Sequence, residues 1–337
     1  MKYPSISIII PAFNEETNLI RLYASLKRQS YPGEIEYILV NDSSFDETVT
    51  ISKKFGARII NVKTHDIELN KGIGLSKAKN DLVYWLDADM EVCSDNFFYY
   101  LARPLVENTA VIASFTKEFA LDSCSKKVNN SLLRFISYHP LQQDPLYAFF
   151  SPSIEGQIVI RKKNYSVCKF VPGKIPAVGR ILYRRRQLLK TEVGKDKSFI
   201  DMEAVETVVR SGYELFAYVP EAKIRHYHAG SLKELIRKRL RNLQRDYLPN
   251  FEHKHFTWFD TKSPYGLLKI LFWVIYANLI FPELVRGLFF SAKHKDLAFL
   301  WQPVVAITTT DAILWGFLSN KKGRKIAKLL ISNFFHR

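Results

Sequence analysis

The sequence SISIIIPAFNEE, residues 5–16, joins an apolar run to a polar cluster. The run over residues 5–10 is rich in β-branched side chains and is closed by Pro11, which predicts a buried β-strand. After the polar cluster, apolar residues recur with helical spacing and predict a helix over residues 16–30. A short strand followed by a helix is the beginning of a βαβ unit.

The same alternation continues through the first third of the chain. Two more apolar runs, YILV at residues 37–40 and LVYWL at residues 82–86, predict buried strands that each end in polar side chains. Between them the sequence predicts a helix over residues 46–55 and a strand over residues 58–62. Strands that alternate with helices indicate an α/β fold with a mostly parallel sheet.

Polar clusters follow three of the predicted strands, at residues 11–15, 41–44 and 87–89. In open α/β sheets, ligands bind in the crevice beyond the carboxyl ends of the strands. We therefore expect the three clusters to line one shared site at this edge of the sheet.

The composition limits the class of protein. With 337 residues, of which 47% are apolar and 24% charged, the chain is long enough for one catalytic domain and an appendage. The 49 Lys and Arg exceed the 33 Asp and Glu by 16, which suggests a nucleic acid, a membrane surface or a phosphorylated substrate as partner. The three cysteines lack CxxC spacing, which argues against a disulfide framework or a zinc ribbon.

The last third of the chain is basic and then apolar. Residues 231–245 predict a basic helix with an apolar stripe, and an earlier basic segment covers residues 161–190. Residues 267–290 are apolar but interrupted by charges and Pro282, as in a broken span or an interfacial helix, whereas residues 297–318 are long enough to cross a membrane. The lysines between these two segments disfavour a hairpin of two full membrane spans. A re-entrant or surface-lying pair therefore stays open, as do two buried helices of a soluble domain.

We therefore expect three parts. A catalytic domain over residues 1–230 would be followed by a basic amphipathic interface segment over residues 231–262 and by membrane-associated helices with a basic tail over residues 263–337. The basic segments would hold anionic lipids and the phosphate of an acceptor. A solvated basic face is the structural alternative.

Asp87-Ala88-Asp89 places two carboxylates one residue apart at the end of an apolar strand. Such a pair is costly to place together unless a cation lies beside it. Mg²⁺ and Mn²⁺ prefer oxygen ligands and commonly bridge to substrate phosphates, so the pair predicts a divalent metal site. The structural alternative is a solvated turn that caps the following helix.

Asp42 follows its strand in the same way and could accept a hydrogen bond from a nucleotide base or a ribose hydroxyl. It could equally form an Asx turn or cap the helix that begins near Asp46. The cluster after the first strand has a structural alternative as well, since acidic residues are common in the first turn of a helix. Each cluster is ambiguous alone, whereas their repetition at three strand ends favours a site.

These stretches resemble the family 2 glycosyltransferases of the GT-A fold. The resemblance rests on SIIIPAFNEE, VNDSSFDET and YWLDADMEV, in this order and spacing, which lie within residues 5–95. It resumes in FIDMEAVETVVRSGYELFAYVPEAKIRHYHAGS at residues 199–231. The resemblance implies a Rossmann-like nucleotide-sugar-binding sandwich with a mostly parallel sheet, here followed by C-terminal hydrophobic helices.

The resemblance also implies roles for individual residues. Asp42 would contact the base, Asp87 would lie near the ribose and the metal, and Asp89 would ligate the Mg²⁺ or Mn²⁺ that holds the sugar diphosphate. Asp201 falls where the family has its catalytic base, with Glu203 two residues on. The other residues expected in the nucleotide-sugar pocket are Pro11, Ala12, Asn14, Glu15, Lys71 and Ala88.

Several of these assignments have competing explanations. His226 and His228 are candidates for a further metal or phosphate contact, with His226 favoured, although a lone histidine is usually structural. Asp201 could be an exposed acid in the first turn of a helix. Lys71 stands in the stretch Leu69–Gly72, where the family usually has Arg-Asn-x-Gly, and would replace the arginine that often touches the diphosphate.

Together these features predict a metal-dependent, inverting glycosyltransferase at the cytoplasmic face of the cell membrane. The donor would be a UDP- or GDP-sugar, and the acceptor a lipid-linked saccharide or a polyprenyl phosphate. No Gln-x-x-Arg-Trp motif of processive synthases occurs, so transfer of a single sugar is expected. One alternative is a soluble glycosyltransferase that builds surface polysaccharide on a non-lipid acceptor. Another is a basic nucleic-acid-binding protein, although no nucleic-acid module is recognisable and no such partner is expected.

Overall fold

The computed structural model of the protein describes residues 2–116, 130–138, 150–195, 198–227, 229–249, 251 and 264–335. The strands in this part of the chain are β1 (Ile6–Ala12), β2 (Ile35–Asn41), β3 (Arg58–Asn61), β4 (Leu82–Trp85), β5 (Met90–Val92), β6 (Ala113–Thr116), β7 (Ile158–Arg161), β8 (Ser166–Lys169), β9 (Gly179–Arg184), β10 (Leu215–Tyr218) and β11 (Ile224–His226). The α-helices are α1 (Glu16–Lys27), α2 (Thr48–Phe55), α3 (Ile67–Lys77), α4 (Phe97–Glu107), α5 (Ser131–Tyr138), α6 (Arg185–Leu188), α7 (Asp201–Arg210), α8 (Leu232–Asn242), α9 (Pro264–Asn278), α10 (Ile280–His294), α11 (Gln302–Ser319) and α12 (Lys321–Phe335). A π-helical turn covers Leu243–Tyr247, and 3₁₀ turns cover Glu155–Gln157, Glu192–Gly194 and Leu297–Trp301.

Nine of the strands form one sheet, in the order β3-β2-β1-β4-β9-β6-β10-β8-β7. The strands β3, β2, β1 and β4 are parallel neighbours, and β6 is parallel to β10. In contrast, β9 and β8 are antiparallel to the strands on both of their sides. The predicted α/β class with a mostly parallel sheet is confirmed. A small second sheet pairs β5 with β11 in antiparallel orientation.

Strand β1 lies inside the parallel part of the sheet, and all of its side chains are buried. Ile6, Ile8 and Ile10 pack into a hydrophobic core with apolar side chains of α1 and α4. Helix α3 approaches the sheet at Gly74, where an added Cβ would overlap the side chain of Ile9, so this close packing requires glycine. A strand buried on both faces has a continuous apolar sequence, which is why it was predictable.

Strand β1 continues through Pro11 to Ala12, whereas the sequence predicted that Pro11 would close it. On the β2 side, the Ala12 carbonyl accepts from the Asp42 N–H at 2.9 Å. On the other side, the last residue of β1 paired with β4 is Ile9. Because β4 has already ended where Pro11 lies, the missing N–H of the proline leaves no hydrogen bond of the sheet unmade.

Helix α3 was not predicted from the sequence. Its segment IELNKGIGLSK contains two glycines and no clear apolar stripe, so propensity and periodicity both fail to indicate a helix. The helix nevertheless begins at a well-formed cap, because the Asp66 carboxylate accepts from the N–H groups of Glu68 and Leu69 at 2.9 and 3.1 Å. This helix carries Lys71 to the site.

Strand β9 was also missed, because it lies in the basic segment 161–190 that we assigned to a membrane surface. One of its cations has a structural role instead. The Arg184 guanidinium donates to the carbonyl oxygens of Val111, Leu105 and Asn108 at 2.8, 2.5 and 3.1 Å. Burial lowers the pKa of Arg184. This arginine therefore pairs the Leu105 carbonyl in the last turn of α4 and two carbonyls of the segment that follows the helix.

The chain divides into two compact units, and the division differs from the expected single domain over residues 1–230. The first unit draws on Met1–Ala120 and Pro152–His226, and the second on Leu121–Ser151 and Tyr227–Arg337. In the second unit, α5 buries Phe135 and Ile136 completely in a cluster that includes Phe299. Because α5 buries its apolar side chains there, residues 121–151 join the C-terminal unit.

Helices α9 and α10 meet at Leu279 with a bend of 70°. Pro282 lies in the first turn of α10, where its missing N–H costs no helical hydrogen bond, but its ring prevents a continuous helix across this point. The segment Leu297–Ser319, with 23 residues, is long and apolar enough to cross a membrane. The bent pair passes the same test of length and composition only when its two helices are taken together.

Candidate active site

The carboxyl edge of the parallel strands carries three residues with a left-handed backbone. Asn14, Ser43 and His65 follow β1, β2 and β3 and have φ angles of 53°, 60° and 53°. This region is uncommon for residues other than glycine, and such backbone strain concentrates at functional sites. The strain therefore supports this edge as the candidate site.

The first polar cluster ties the loop after β1 to the loop after β2. The Asn14 N–H donates to Ser44 Oγ and Asn14 Oδ1 accepts from the Phe45 N–H, both at 3.0 Å. The Glu15 N–H donates to Thr48 Oγ1 at 2.8 Å. Asn14 and Glu15 thus fix the shape of both loops. The two other residues predicted here, Pro11 and Ala12, form the buried end of β1.

Asp42 is buried at the end of β2, and its carboxylate accepts several hydrogen bonds. Among them are those from the Thr64 N–H at 3.0 Å, the Thr64 hydroxyl at 3.2 Å and the Asn70 amide at 3.0 Å. Burial alone would raise its pKa, but hydrogen bonds from Asn70, His65 and Thr64 lower the pKa below its usual value. Asp42 is therefore an ionised carboxylate, and these bonds join it to α3 and the β3 loop.

The helix after this loop is capped by other groups. The Thr48 N–H donates to Asp46 Oδ1 at 3.0 Å, so Asp46 rather than Asp42 satisfies the start of α2. The sequence does not predict a role for Asn70. The only sequence signal for it is its position next to Lys71 in the stretch Leu69–Gly72.

Lys71 joins two acidic side chains that are far apart in the sequence. Its Nζ lies 3.3 Å from Asp201 Oδ2 and 3.4 Å from Glu68 Oε2, and the residue is only 5% exposed. Trp85 Nε1 donates to the Lys71 carbonyl at 3.1 Å. The Trp85 ring stacks on Phe199 with 3.7 Å between ring centroids, which holds the chain just before Asp201 against this cluster.

The cluster has more negative than positive groups, and the pKa values reflect this. Burial would lower the pKa of Lys71, but Asp201, Asp87 and Glu68 raise it well above its usual value. Burial raises the pKa of Asp87, Lys71 opposes this effect, and the charges of Asp89 and Asp201 add to it. One lysine therefore does not compensate the carboxylates gathered here, and a further cation would stabilise them.

Asp87, Ala88 and Asp89 follow β4 after one intervening residue, Leu86, and they fit the predicted metal site in part. Asp87 Oδ1 is buried and has no hydrogen-bond partner among the described residues, which suits a metal ligand. Asp89 Oδ1 lies 3.3 Å from His226 Nε2, because the pairing of β5 with β11 brings His226 opposite Met90. In the described part of the chain, no group of three or more His, Cys, Asp or Glu could by itself hold a metal ion.

A divalent ion at this place would therefore need oxygens from a substrate or from water in addition to protein carboxylates. Mg²⁺ is commonly bound in that way, by one or two carboxylates together with substrate phosphates. The residues present are compatible with such a site. His228, the other histidine singled out in the sequence, lies outside the described residues.

Comparison with known proteins gives the following similarities. A family model described as "Glycosyl transferase family 2" matches residues 7–165. The 4,4'-diaponeurosporenoate glycosyltransferase of Staphylococcus haemolyticus is 39% identical over 100 residues, 27% of this chain and 26% of that protein. The glucosyl-3-phosphoglycerate synthase of Petrotoga mobilis is 30% identical over 187 residues, 51% of this chain and 55% of that protein.

A poly(ribitol-phosphate) β-N-acetylglucosaminyltransferase of Staphylococcus aureus is 32% identical over 91 residues, 25% of this chain and 16% of that protein. The chain thus matches about half or less of the length of these relatives. Among solved structures, glucosyl-3-phosphoglycerate synthase from Mycobacterium tuberculosis with Mn²⁺ and UDP-glucose has a TM-score of 0.44 and 19% identity, covering 69% of this chain and 74% of that one. Residues 1–349 of S. aureus TarS have a TM-score of 0.43 and 14% identity, covering 91% of both chains.

Proposed function

We propose that the protein is a family 2 glycosyltransferase, as the family model that matches residues 7–165 suggests, and that it transfers one sugar from a nucleotide-diphosphate sugar to an acceptor at the cytoplasmic face of a membrane. The observation that carries the proposal is the gathering of Asp87, Asp89, Asp201 and Lys71 at the carboxyl edge of the sheet. Asp42 lies at the same edge of the sheet, at the end of β2, two strands away from β4. In this position it would bind the nucleotide.

The donor would be held by groups of both charges. Asp87 and Asp89 would bind a Mg²⁺ or Mn²⁺ ion, which when bound neutralises the charge that develops on the leaving diphosphate. Lys71 is the buried cation beside these carboxylates and would attract the same phosphate oxygens. His226 would orient Asp89, whose carboxylate it faces.

Asp201 would act as the base for the acceptor. Its side chain is 42% exposed, so an acceptor hydroxyl can reach it, while Lys71 fixes its position at 3.3 Å. The acceptor oxygen would form a bond to the anomeric carbon, its proton would pass to Asp201, and the nucleoside diphosphate would leave from the opposite face. One base and one direct displacement give inversion at the anomeric carbon.

The relatives support an acidic acceptor. Their names refer to a diaponeurosporenoate, a poly(ribitol-phosphate) and a 3-phosphoglycerate, each of which contains a carboxylate or a phosphate. A polyprenyl phosphate or a lipid-linked saccharide, the acceptors we propose, belongs to the same chemical class when it carries phosphate.

The second unit would hold the enzyme at the membrane. Its helices expose large apolar side chains, among them Leu271, Phe272, Ile280, Phe281, Leu288 and Phe289. Extended exposed apolar surface of this kind marks a protein or membrane contact. In the same unit, α8 and the turn after it line a groove of about 570 Å³ with Lys233, Arg237, Arg241 and Arg245. A unit that has both exposed apolar side chains and a basic groove is suited to an anionic membrane.

The test is a screen of nucleotide sugars with the full-length protein in detergent. Metal-dependent hydrolysis or thermal stabilisation by one UDP- or GDP-sugar is expected for the wild type, with loss of at least about tenfold in Asp89→Ala. Asp95→Ala is the matched control, because Asp95 is an exposed acid that pairs with Arg28 away from the cluster. A wild type that responds to no nucleotide sugar would contradict the proposal.

A further inference from the structure

Arg180 has a backbone conformation that arginine rarely adopts. Its φ is 55°, in the left-handed region, where a side chain bearing a Cβ is sterically unfavourable. The residue also lies at an irregularity of the sheet, because Phe115 of β6 pairs with Ile181 and Thr116 pairs with Gly179, which leaves Arg180 as the extra residue. A bulge re-aims a side chain and is common next to active sites.

The bulge lies at the edge of the sheet that carries the candidate active site. Strand β9 is antiparallel to β4, with Tyr84 opposite Leu182, so the beginning of β9 meets the end of β4. Arg180 precedes Leu182 by two positions, and Asp87 follows Tyr84 by three. The strained arginine and the first carboxylate of the predicted metal pair are therefore placed at the same edge, on neighbouring strands.

The charges of Arg180 and Asp87 both act on the buried hydroxyl of Tyr84. Tyr84 is completely buried, and its hydroxyl has no hydrogen-bond partner among the described residues. Burial raises the pKa of Tyr84; the charge of Arg180 opposes this effect, while the charges of Asp87 and Asp201 add to it. The guanidinium of Arg180, two of whose nitrogens are buried, thus lies within electrostatic reach of the same hydroxyl as the two carboxylates.

The order of strands separates Arg180 from the nucleotide end of the site. The sheet runs β2, β1, β4, β9, with Asp42 after β2 and Asp87 after β4. Arg180, on β9, is on the side of Asp87 that faces away from Asp42. If the nucleotide lies over β1 and β2 and its diphosphate reaches Asp87, the acceptor has to approach over β9.

We propose that Arg180 binds the anionic group of the acceptor, a phosphate or a carboxylate, and thereby selects acidic acceptors. This proposal rests on the proposed function. The backbone strain at Arg180 is retained because the bulge presents the guanidinium to the acceptor, where a planar, permanently charged donor can bind two oxygens at once.

The experiment uses inorganic phosphate as the probe of the acceptor subsite. Full-length protein in detergent is first saturated with Mg²⁺ and UDP, or GDP if that is the nucleotide that binds, so that the diphosphate subsite is filled. Phosphate is then titrated against chloride at equal ionic strength, and thermal unfolding is followed. The variants are Arg180→Asn, Arg180→Gly and Arg180→Lys, with Arg186→Asn as the matched control because Arg186 is an exposed arginine beyond the other end of β9.

We expect phosphate to stabilise the nucleotide-loaded wild type and the Arg186 control equally. In Arg180→Asn and Arg180→Gly, the apparent dissociation constant for phosphate should rise about 10- to 100-fold, the effect of losing a charge-assisted hydrogen bond. Arg180→Lys should retain part of the binding. Because Asn and Gly both tolerate the left-handed region, these variants should unfold at the same temperature as the wild type or higher when no ligand is present.

Three results would overturn the proposal. If Arg180→Asn weakens nucleotide binding and not phosphate binding, the arginine contacts the donor. If the Asn and Gly variants lose thermal stability while their phosphate binding is unchanged, the role of Arg180 is structural. If the wild type binds nucleotide but phosphate does not raise its unfolding temperature, the protein has no anion subsite for the acceptor. By contrast, a wild type that binds neither UDP nor GDP overturns the proposed function itself, and with it this inference.

Discussion

Glu68 is the residue of the cluster whose charge state should respond to pH in the neutral range. Burial raises its pKa to about 7, Lys71 opposes this effect, and Asp201 and Asp87 add to it. Between the usual pKa of a glutamate and this value, the folded protein binds a proton that the unfolded chain has released. The contribution of Glu68 to stability therefore falls as the pH rises through this window and is unfavourable above it.

Replacing the Glu68 carboxyl by an amide should remove this contribution to the pH dependence of stability. We expect Glu68→Gln to raise the free energy of unfolding by about 1–3 kcal/mol at pH 8 relative to the wild type, and to change it little near pH 4.5. Chemical denaturation at both pH values, with divalent ions removed by a chelator, measures this difference. Glu192→Gln, at an exposed acid paired with Lys195, is the control. Equal effects of Glu68→Gln at the two pH values would contradict the assignment.

Helix α8 packs into the hydrophobic core on one side and carries basic side chains on another. Leu235 is completely buried on one side, in the cluster that contains Phe135 and Phe299. On another side, Lys233, Arg237, Arg241 and Arg245 recur every four residues along the groove. Like charges at this spacing repel one another and weaken a helix, so an anionic surface placed in the groove would stabilise it. Arg239, part of the same basic run, does not line the groove.

Removing basic side chains from this groove should weaken membrane binding and leave hydrolysis of the nucleotide sugar unchanged. The double change Arg237→Ala with Arg241→Ala should weaken binding to vesicles of phosphatidylglycerol and phosphatidylcholine about thirtyfold, at about 1 kcal/mol for each cation. Donor hydrolysis should be unchanged. Lys53→Ala with Lys54→Ala removes the same charge from exposed positions of α2 and should change neither property. Equal loss of vesicle binding and donor hydrolysis would refute the separate role.

At the level of elements, the sequence is most informative where burial is complete. Strands β1, β2 and β4 could be predicted because apolar runs end in polar clusters, and the same clusters indicated Asp42, Asp87 and Asp89. Contacts made by α3 could not, because Lys71 meets Asp201 across 130 residues of sequence. This contact depends on how α3, a helix with two glycines, packs on the sheet. The periodicity of the sequence gives no information about that packing. The bulge at Arg180 has no sequence signal of its own for the same reason.

At the scale of the whole molecule, the chain passes three times between its two units, after residues 120, 151 and 226. Residues 121–151 leave the first unit and join the second. In the second unit, Phe135 and Ile136 of α5 are completely buried, and Arg134 forms a salt bridge with Asp296 at 2.7 Å. The side chains of this pair are only 15% and 5% exposed, so removal of either partner would leave a buried charge uncompensated.

A fragment ending at residue 230 should therefore fold poorly unless residues 121–151 are also removed. We expect the fragment 1–230 to bind a hydrophobic dye and to aggregate, because Phe135 and Ile136 lose the partners that cover them. The same fragment with residues 121–151 replaced by a flexible linker should remain monomeric. Dye fluorescence and gel filtration distinguish the two. If both fragments behave alike, α5 does not need the C-terminal helices.

The contact between Arg134 and Asp296 can form only late in synthesis of the chain, because its partners are 162 positions apart in the sequence. At elongation rates of about 5–20 residues per second, α5 is translated roughly 8–32 s before Asp296. During that interval a nascent chain holds Phe135 and Ile136 with nothing to cover them. Chaperone supply and translation speed should therefore influence the yield of this protein in a heterologous host.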